Sequence, residues 1–381
     1  YQEPVENNVD YPDAPLEQPV MKILPGKKTL LLGLANDEIG YIIPPDMLRR
    51  LADKGTSADR SKALDTLALD GTFRAMRLMG DDTLGAARRT TSTGKKQRSI
   101  FDANGKQTLP GKLVRAEGSK PGKDIAVNEA YDGLGATWDF FSQVFGRDSI
   151  DDAGMPLNAS VHFGVGYDNA FWDGARMVFG DGDGKYFNRF TASLDVIGHE
   201  LAHGVTEDEA GLVYSNQPGA LNESMSDVFG VLVKQYAKKQ KAGDADWLIG
   251  AELLTKKVKG VALRSMKAPG TAYNDPVLGK DMQPAHMKNY VNTMQDNGGV
   301  HINSGIPNHA FYRLAIALGG NAWEKAGHIW YETLRDPRLR TTANFQRFAS
   351  LTKLNAQRLY GAMSAEARLV GESWSKVGVA A

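Results

Sequence analysis

At 381 residues the chain exceeds what one hydrophobic core usually organises, so two lobes plus an extension are expected. Its 45 basic side chains balance 45 acidic ones, which argues against a nucleic-acid partner, and no apolar run approaches the roughly 20 residues of a membrane helix. With no cysteine, disulfides, thiolate ligands and a cysteine nucleophile are excluded, and any metal must be held by His, Asp or Glu.

In chain order, residues 1–42 are acidic and turn-rich, then carry a strand-like stretch over 28–34 with no chemistry attached. Pro44-Pro45 ahead of Asp46-Met47-Leu48-Arg49-Arg50-Leu51 predicts a helix that stops at Gly55. A second helix is predicted over 58–79, with Ala63, Leu64, Leu67, Phe73 and Met76 as its apolar stripe. Residues 88–98, basic and small, read as an exposed connection open to proteolytic nicking. From 99 to 193 short β-type runs (99–101, 159–166 and 175–179) alternate with Gly, Asp and Asn turns around one helix at 128–144. Beyond Ser193 the pattern turns helical, over 194–207, 219–239, 307–318, 322–334, 343–360 and 365–377. That second lobe is expected to be nearly all helix.

His199-Glu200-Leu201-Ala202-His203 places two imidazoles at i and i+4 on one helical face, a turn apart, where they can share one metal. Glu200 sits beside that face and can take a proton from a metal-bound water. On the next predicted helix, Asn222-Glu223-Ser224-Met225-Ser226-Asp227 offers Glu223 as a third ligand, which leaves a fourth position for water as a catalytic zinc site needs. Asp227, four residues on, suits an acceptor for a ligand histidine's other N–H. In the glycine-rich run Asp296-Asn297-Gly298-Gly299-Val300-His301, a turn histidine oriented by a carboxylate can stay protonated and donate to a developing oxyanion. Each has a plainer reading: ordinary helix histidines, a solvated acid at Asp227, a structural histidine at 301. Lys234, Lys238, Lys239 and Lys241 read as a solvated helix end. His162, His286, His309 and His328 are assigned to packing or surface, and Trp323, Trp330 and Trp374 to the helical core. Asp181-Gly182-Asp183-Gly184 is a tight turn, because Ala192 stands where a calcium loop of the EF-hand type needs Glu.

From about Ser99 onward the chain resembles the thermolysin family of zinc metallopeptidases. The resemblance is carried by GHELAHGVTE (198–207), GALNESMSDVFG (219–230), DNGGVHINSGIPN (296–308), NAFWDG (169–174) and ALRSM (262–266). It implies an α+β two-lobe fold, a β-rich N-terminal lobe and an α-helical C-terminal lobe with the zinc site on the helix between them. It implies one Zn2+ on His199, His203 and Glu223, Glu200 as general base, Tyr214 and His301 stabilising the tetrahedral intermediate, and Asp296 orienting His301. Asn169, Ala170 and Arg264 would hold the substrate backbone. Phe187, Phe190, Val196, Ile249, Leu253 and Leu263 would line an apolar pocket for the side chain after the scissile bond.

Two departures matter. Where larger members build a double calcium site, Asp195 and Asp246 remain but Lys234, Leu248 and Ala251 replace the other positions, so calcium is not expected. The short N-terminal part, with Ile42-Ile43-Pro44-Pro45 ahead of two helices, resembles the propeptide of the protealysin-like branch, although Asp46 stands where that branch has an apolar residue or histidine. The expected plan is an extension over 1–42, propeptide and linker over 43–98, a β-rich catalytic lobe over 99–193, and the HExxH helix with the helical lobe over 194–381. The resemblance implies an endopeptidase made as a precursor, cutting protein and peptide substrates on the amino side of bulky apolar residues. Its own propeptide would act as a steric intramolecular inhibitor. A monomer is expected, without nucleic-acid or membrane partners, and secretion is expected by family although no signal peptide is recognisable. The competing readings are a zinc aminopeptidase and a non-catalytic, zinc-stabilised binding protein.

Overall fold

The computed structural model describes residues 42–78 and 94–381. The strand-like stretch at 28–34 and most of the 88–98 connection lie outside those residues.

Helix α1 (Pro45–Lys54) starts on Pro45, whose missing N–H costs nothing in a first turn, and ends where the Gly55 amide returns to the Leu51 carbonyl. It buries Met47, Leu48, Leu51 and Ala52. Helix α2 (Ser57–Leu78) matches its predicted span, and of its predicted apolar stripe Ala63 is buried and Leu67 packs against the core, but Leu64 does not turn inward. Leu64 is 47 % exposed, while Asp59, Ala63, Thr66 and Asp70 are buried. The side chains of Phe73 and Met76 lie outside the described residues. The inward stripe therefore also carries polar residues, which meet a polar loop. Tyr167 donates its hydroxyl to Asp70 at 2.6 Å and Asn169 its amide at 3.0 Å. The Asp168 amide donates to Thr66 Oγ1 at 3.2 Å, and Lys185 pairs with Asp59.

The N-terminal lobe is a mixed sheet of β1 (Arg98–Asp102), β2 (Lys112–Ala116), β3 (Leu157–Val161), β4 (Ala170–Trp172) and β5 (Arg176–Phe179) in the order β2-β1-β3-β5-β4, with helix α3 (Ile125–Phe145) packed on it. Arg98 therefore opens a strand and does not belong to the connection before it. The run predicted over 159–166 ends at Val161, because His162 adopts φ 55° and the chain turns through Gly164 and Gly166. Asp183 fixes the next turn, its Oδ1 accepting from the amides of Lys185, Tyr186 and Phe187. Among the described residues strand β4 is an edge, paired with β5.

Helices α4 (Leu194–Glu209) and α5 (Asn216–Lys238) pack against each other. They approach closely because Gly198 and Gly230 face each other; a Cβ on Gly230 would meet the Asp195 carbonyl oxygen at 2.3 Å. The C-terminal lobe continues with α6 (Asp296–Asn303), α7 (Gly305–Leu318), α8 (Ala326–Leu334), α9 (Phe345–Tyr360) and α10 (Ala365–Lys376). Trp330 and Trp374 stack in its core at 5.8 Å, while Trp323 is only half-buried. The lobe is not helical throughout. Between α5 and α6 the chain is mostly turns, with β6 (Leu248–Ile249) paired to β7 (Arg264–Ser265) and β8 (Asn274–Asp275) to β9 (Gly279–Lys280). Among the described residues no helix is long and apolar enough to cross a membrane.

Candidate metal centre and active site

Helix α4 turns His199 and His203 to one face, and α5 brings Glu223 opposite them. The ligand-type atoms of these three buried residues all lie within 4.8 Å of one another. His199 Nδ1 meets Asp227 Oδ1 at 2.8 Å and His203 Nδ1 meets Asn222 Oδ1 at 2.8 Å. These acceptors hold the protons on Nδ1, so both Nε2 atoms present lone pairs. The two Nε2 atoms stand 3.1 Å apart, each 3.5 Å from a Glu223 oxygen. Two lone pairs that close repel unless a cation lies between them. The spacing is near the roughly 3.3 Å edge of a tetrahedron with metal–nitrogen bonds of about 2.05 Å. Among the described residues Glu223 Oε2, buried, accepts no hydrogen bond, as expected of an atom reserved for a ligand. The donor set fits zinc.

Glu200 is fully buried beside this cluster, its carboxylate facing the backbone of Trp172. Burial, reinforced by the Glu223 charge, pushes its carboxyl well above the usual range, so it accepts a proton readily. For His203 burial dominates and pulls the imidazole down to about 4, which keeps it neutral as a ligand must be. Asp227 behaves oppositely. Burial alone would raise it, but Arg264 and His199 outweigh that and hold it ionised. Arg264 donates to it through Nε at 2.9 Å and Nη2 at 2.7 Å, and the Asn308 amide donates at 2.8 Å.

His301 does not sit in the glycine turn itself. Asp296, Asn297, Gly298 and Gly299 all take positive φ, and the histidine follows in the helical turn after them. That bend lets Asp296 accept both from the His301 amide at 2.9 Å and at Nδ1 at 2.6 Å. Burial lowers the His301 imidazole, yet Asp296 and Glu223 outweigh it and raise it to about 9. Tyr214 donates to Glu223 and lies 3.3 Å from His301 Nε2, so three proton-bearing or proton-accepting groups share one wall.

The residues expected to hold a substrate backbone are already engaged by the chain itself. Arg264 Nη1 donates to the Ile42 carbonyl at 3.2 Å, and the Ile43 amide donates to Asn169 Oδ1 at 3.0 Å. Asn169 Oδ1 also accepts from the Ala170 amide at 3.1 Å. Phe187, Phe190, Val196, Ile249, Leu253 and Leu263 are all buried, and Ile42 and Ile43 belong to the same apolar cluster. Asn222 and Asn308, the partners of His203 and Asp227, were not singled out in the sequence. Both stood inside quoted motifs, but an asparagine's partner depends on how far away the facing helix lies. Lys234 corrects the reading of a solvated helix end. It is buried and donates to Asp195 at 2.7 Å and to the Leu248 carbonyl at 2.7 Å, with Asp246 at 3.1 Å.

Comparison with known proteins gives a consistent result. Residues 59–207 match the family profile described as thermolysin metallopeptidase, catalytic domain, and residues 210–379 that described as thermolysin metallopeptidase, alpha-helical domain. An extracellular metalloprotease of Pectobacterium carotovorum is 54 % identical over 339 residues, 89 % of this chain and 96 % of that protein. A thermolysin of Alicyclobacillus acidocaldarius is 40 % identical over 289 residues, 73 % of this chain and 50 % of that protein. The solved precursor of protealysin, from Serratia proteamaculans, superposes with a TM-score of 0.81 at 54 % identity, covering 90 % of this chain and 100 % of that one.

Proposed function

We propose a working mechanism on one premise: the chain belongs to the thermolysin family of metallopeptidases, zinc-dependent endopeptidases, and is here in precursor form. His199, His203 and Glu223 hold the metal, which when bound polarises a carbonyl and acidifies water. Glu200 takes the water's proton and passes it to the leaving amine. His301, held protonated by Asp296, and the Tyr214 hydroxyl donate to the oxyanion that develops on the opened carbonyl. Asn169, Ala170 and Arg264 align the substrate backbone. The pocket of Phe187, Phe190, Val196, Ile249, Leu253 and Leu263 selects a bulky apolar side chain after the scissile bond.

The observation that carries this reading is Glu200, a fully buried carboxylate beside three convergent ligand atoms. Glu200→Gln is expected to bind one zinc per chain and to lose cleavage of an N-terminally blocked peptide by roughly 10²-fold or more. Undiminished turnover in that variant removes Glu200 from the mechanism. Cleavage of the blocked peptide by the wild type also separates an endopeptidase from an aminopeptidase.

The pro-segment's hold on Arg264 and Asn169 supports a steric inhibitor, because a substrate cannot reach groups the chain already occupies. Calcium independence is supported by Lys234, whose ammonium already neutralises Asp195. We assign the mature enzyme to the outside of the cell, as with the extracellular relatives, acting as a monomer with the boundaries 1–42, 43–98, 99–193 and 194–381.

A further inference from the structure

The Ile42 carbonyl accepts from Arg264, the Ile43 amide donates to Asn169 Oδ1, and Asn169 Nδ2 donates to the Ile43 carbonyl at 3.5 Å. Two consecutive residues thus occupy the groups assigned above to a substrate's backbone, and the chain beyond them marks where a peptide can run next. Pro44 continues in an extended conformation, with φ −63° and ψ 144°, before α1 begins. Pro44, Asp46 and Met47 line one cavity together with Tyr273, Met282 and Gln283. The last three belong to the segment around β8 and β9, which is braced on two sides. Asp281 accepts from the amides of Gly270 at 2.9 Å, Ala272 at 3.0 Å and Gln283 at 3.0 Å, closing the segment on itself. Gln283 Nε2 donates to the His301 carbonyl at 2.8 Å and to Ser304 Oγ at 3.0 Å, which fixes the segment to α6 at His301 itself. Helix α1 rests on it: a Cβ on Gly279 would meet Arg50 Nη1 at 2.0 Å. The site disfavours negative charge. Burial and then the Asp296 charge push the Asp46 carboxyl above its usual range, and Arg50 and His301 oppose this without cancelling it. Among the described residues Gln283 Oε1, buried, accepts no hydrogen bond, and Pro44 and Pro45 have no N–H to offer it.

Resting on the mechanism above, we propose that Tyr273, Met282 and Gln283 form a further substrate subsite, uncovered when the pro-segment leaves, which selects an apolar side chain over an acidic one at the third residue after the scissile bond. Arg264 and Asn169 hold two consecutive residues, so the third is the first to reach this wall. Tyr273 and Met282 give its side chain apolar contact, and the thioether of Met282 adapts to different shapes. Gln283 Oε1 takes the amide N–H that the two prolines lack. Asp281 and Gln283 Nε2 hold the wall in place, so little ordering is needed when a peptide binds. An acidic side chain there would meet the same field that disfavours the Asp46 carboxylate.

The test uses zinc-loaded enzyme matured from the full-length precursor. Its substrates are N-terminally blocked, C-terminally amidated peptides that end two or three residues after the cut, the third being Leu or Asp. Lengthening by Leu is expected to raise kcat/KM about tenfold, mostly through KM, and lengthening by Asp to raise it about threefold or less. Tyr273→Ala is expected to reduce the gain from Leu. In Met282→Lys, a substitution at a half-exposed position, the preference between the two longer peptides is expected to shift toward Asp by about tenfold. Each readout is a ratio between two substrates on one enzyme preparation, so an unfolded or immature fraction cancels. The wild-type series decides the selectivity even if a variant does not mature. The proposal is overturned if Leu brings no gain, if Asp brings as large a gain as Leu, or if Met282→Lys keeps the wild-type preference. A wild type that cleaves none of the blocked peptides overturns the mechanism and this inference together.

Discussion

With His199 Nδ1, two nitrogens of Arg264 and the Asn308 amide all directed at it, the Asp227 carboxylate joins the metal centre to the substrate-binding arginine. Removing it leaves Arg264 buried with an uncompensated charge and frees the His199 ring to turn. Asp227→Ala is expected to weaken zinc binding about 10- to 100-fold and to cost about 3–5 kcal/mol of stability. A chelator-competition titration and urea unfolding check the two effects. Unchanged zinc affinity would remove Asp227 from the centre. At this scale the sequence was readable where spacing along one helix decides geometry, as for the paired histidines and for Asp227 one turn after Glu223. It was not readable where a partner comes from elsewhere. Nothing local marks Asn308 for Asp227, and nothing in Ile42 marks it for Arg264.

Among the elements, α2 shows how a correct period can miss the polar part of a buried face. The 58–79 pattern marked a helix, and Ala63 and Leu67 face the core as its stripe implies, but Leu64 is exposed. Part of the receiving surface is the polar loop carrying Tyr167, Asp168 and Asn169, so Thr66 and Asp70 also turn inward. His162, assigned to packing or surface, is another tertiary contact without a local signature. Its Nδ1 meets Asp181 and its Nε2 meets Asp124, each at 2.9 Å, tying the turn before α3 to the 181–184 turn. The bond to Asp181 raises its pKa; burial opposes, Asp124 assists, and the result is about 9. A histidine raised in the folded state stabilises fully below its unfolded value of about 6.5, and that stability is lost as pH rises through about 9. The wild-type Tm is therefore expected to fall between pH 7 and 10 by more than that of His162→Gln. Parallel Tm profiles for the two proteins would show that the clasp contributes nothing.

Across the whole molecule, the two lobes meet on α4 and α5, and Lys234 ties these helices to the segment that lines the pocket. Its ammonium, on α5, donates to Asp195 at the start of α4 and to the Leu248 carbonyl in β6, one residue before Ile249. Burial would lower the lysine's pKa, but Asp195 and Asp246 outweigh it and raise it, so the charge is retained. Asp195 in turn accepts from Ser193 Oγ at 2.5 Å, so this network holds the entry to the metal-bearing helix. A covalently attached cation cannot be removed by a chelator. The melting temperature is accordingly expected to be the same in EGTA as in millimolar calcium. Lys234→Ala leaves Asp195 buried without its counter-ion and should destabilise by about 3–5 kcal/mol. Because β6 leads directly into the pocket wall, that variant should also raise KM for substrates with bulky apolar side chains more than it lowers kcat. Calorimetry in the two buffers, with kinetics on a blocked peptide series, separates the possibilities. A Tm that climbs with calcium in the wild type would mean that a divalent ion, and not Lys234, holds α4 to α5.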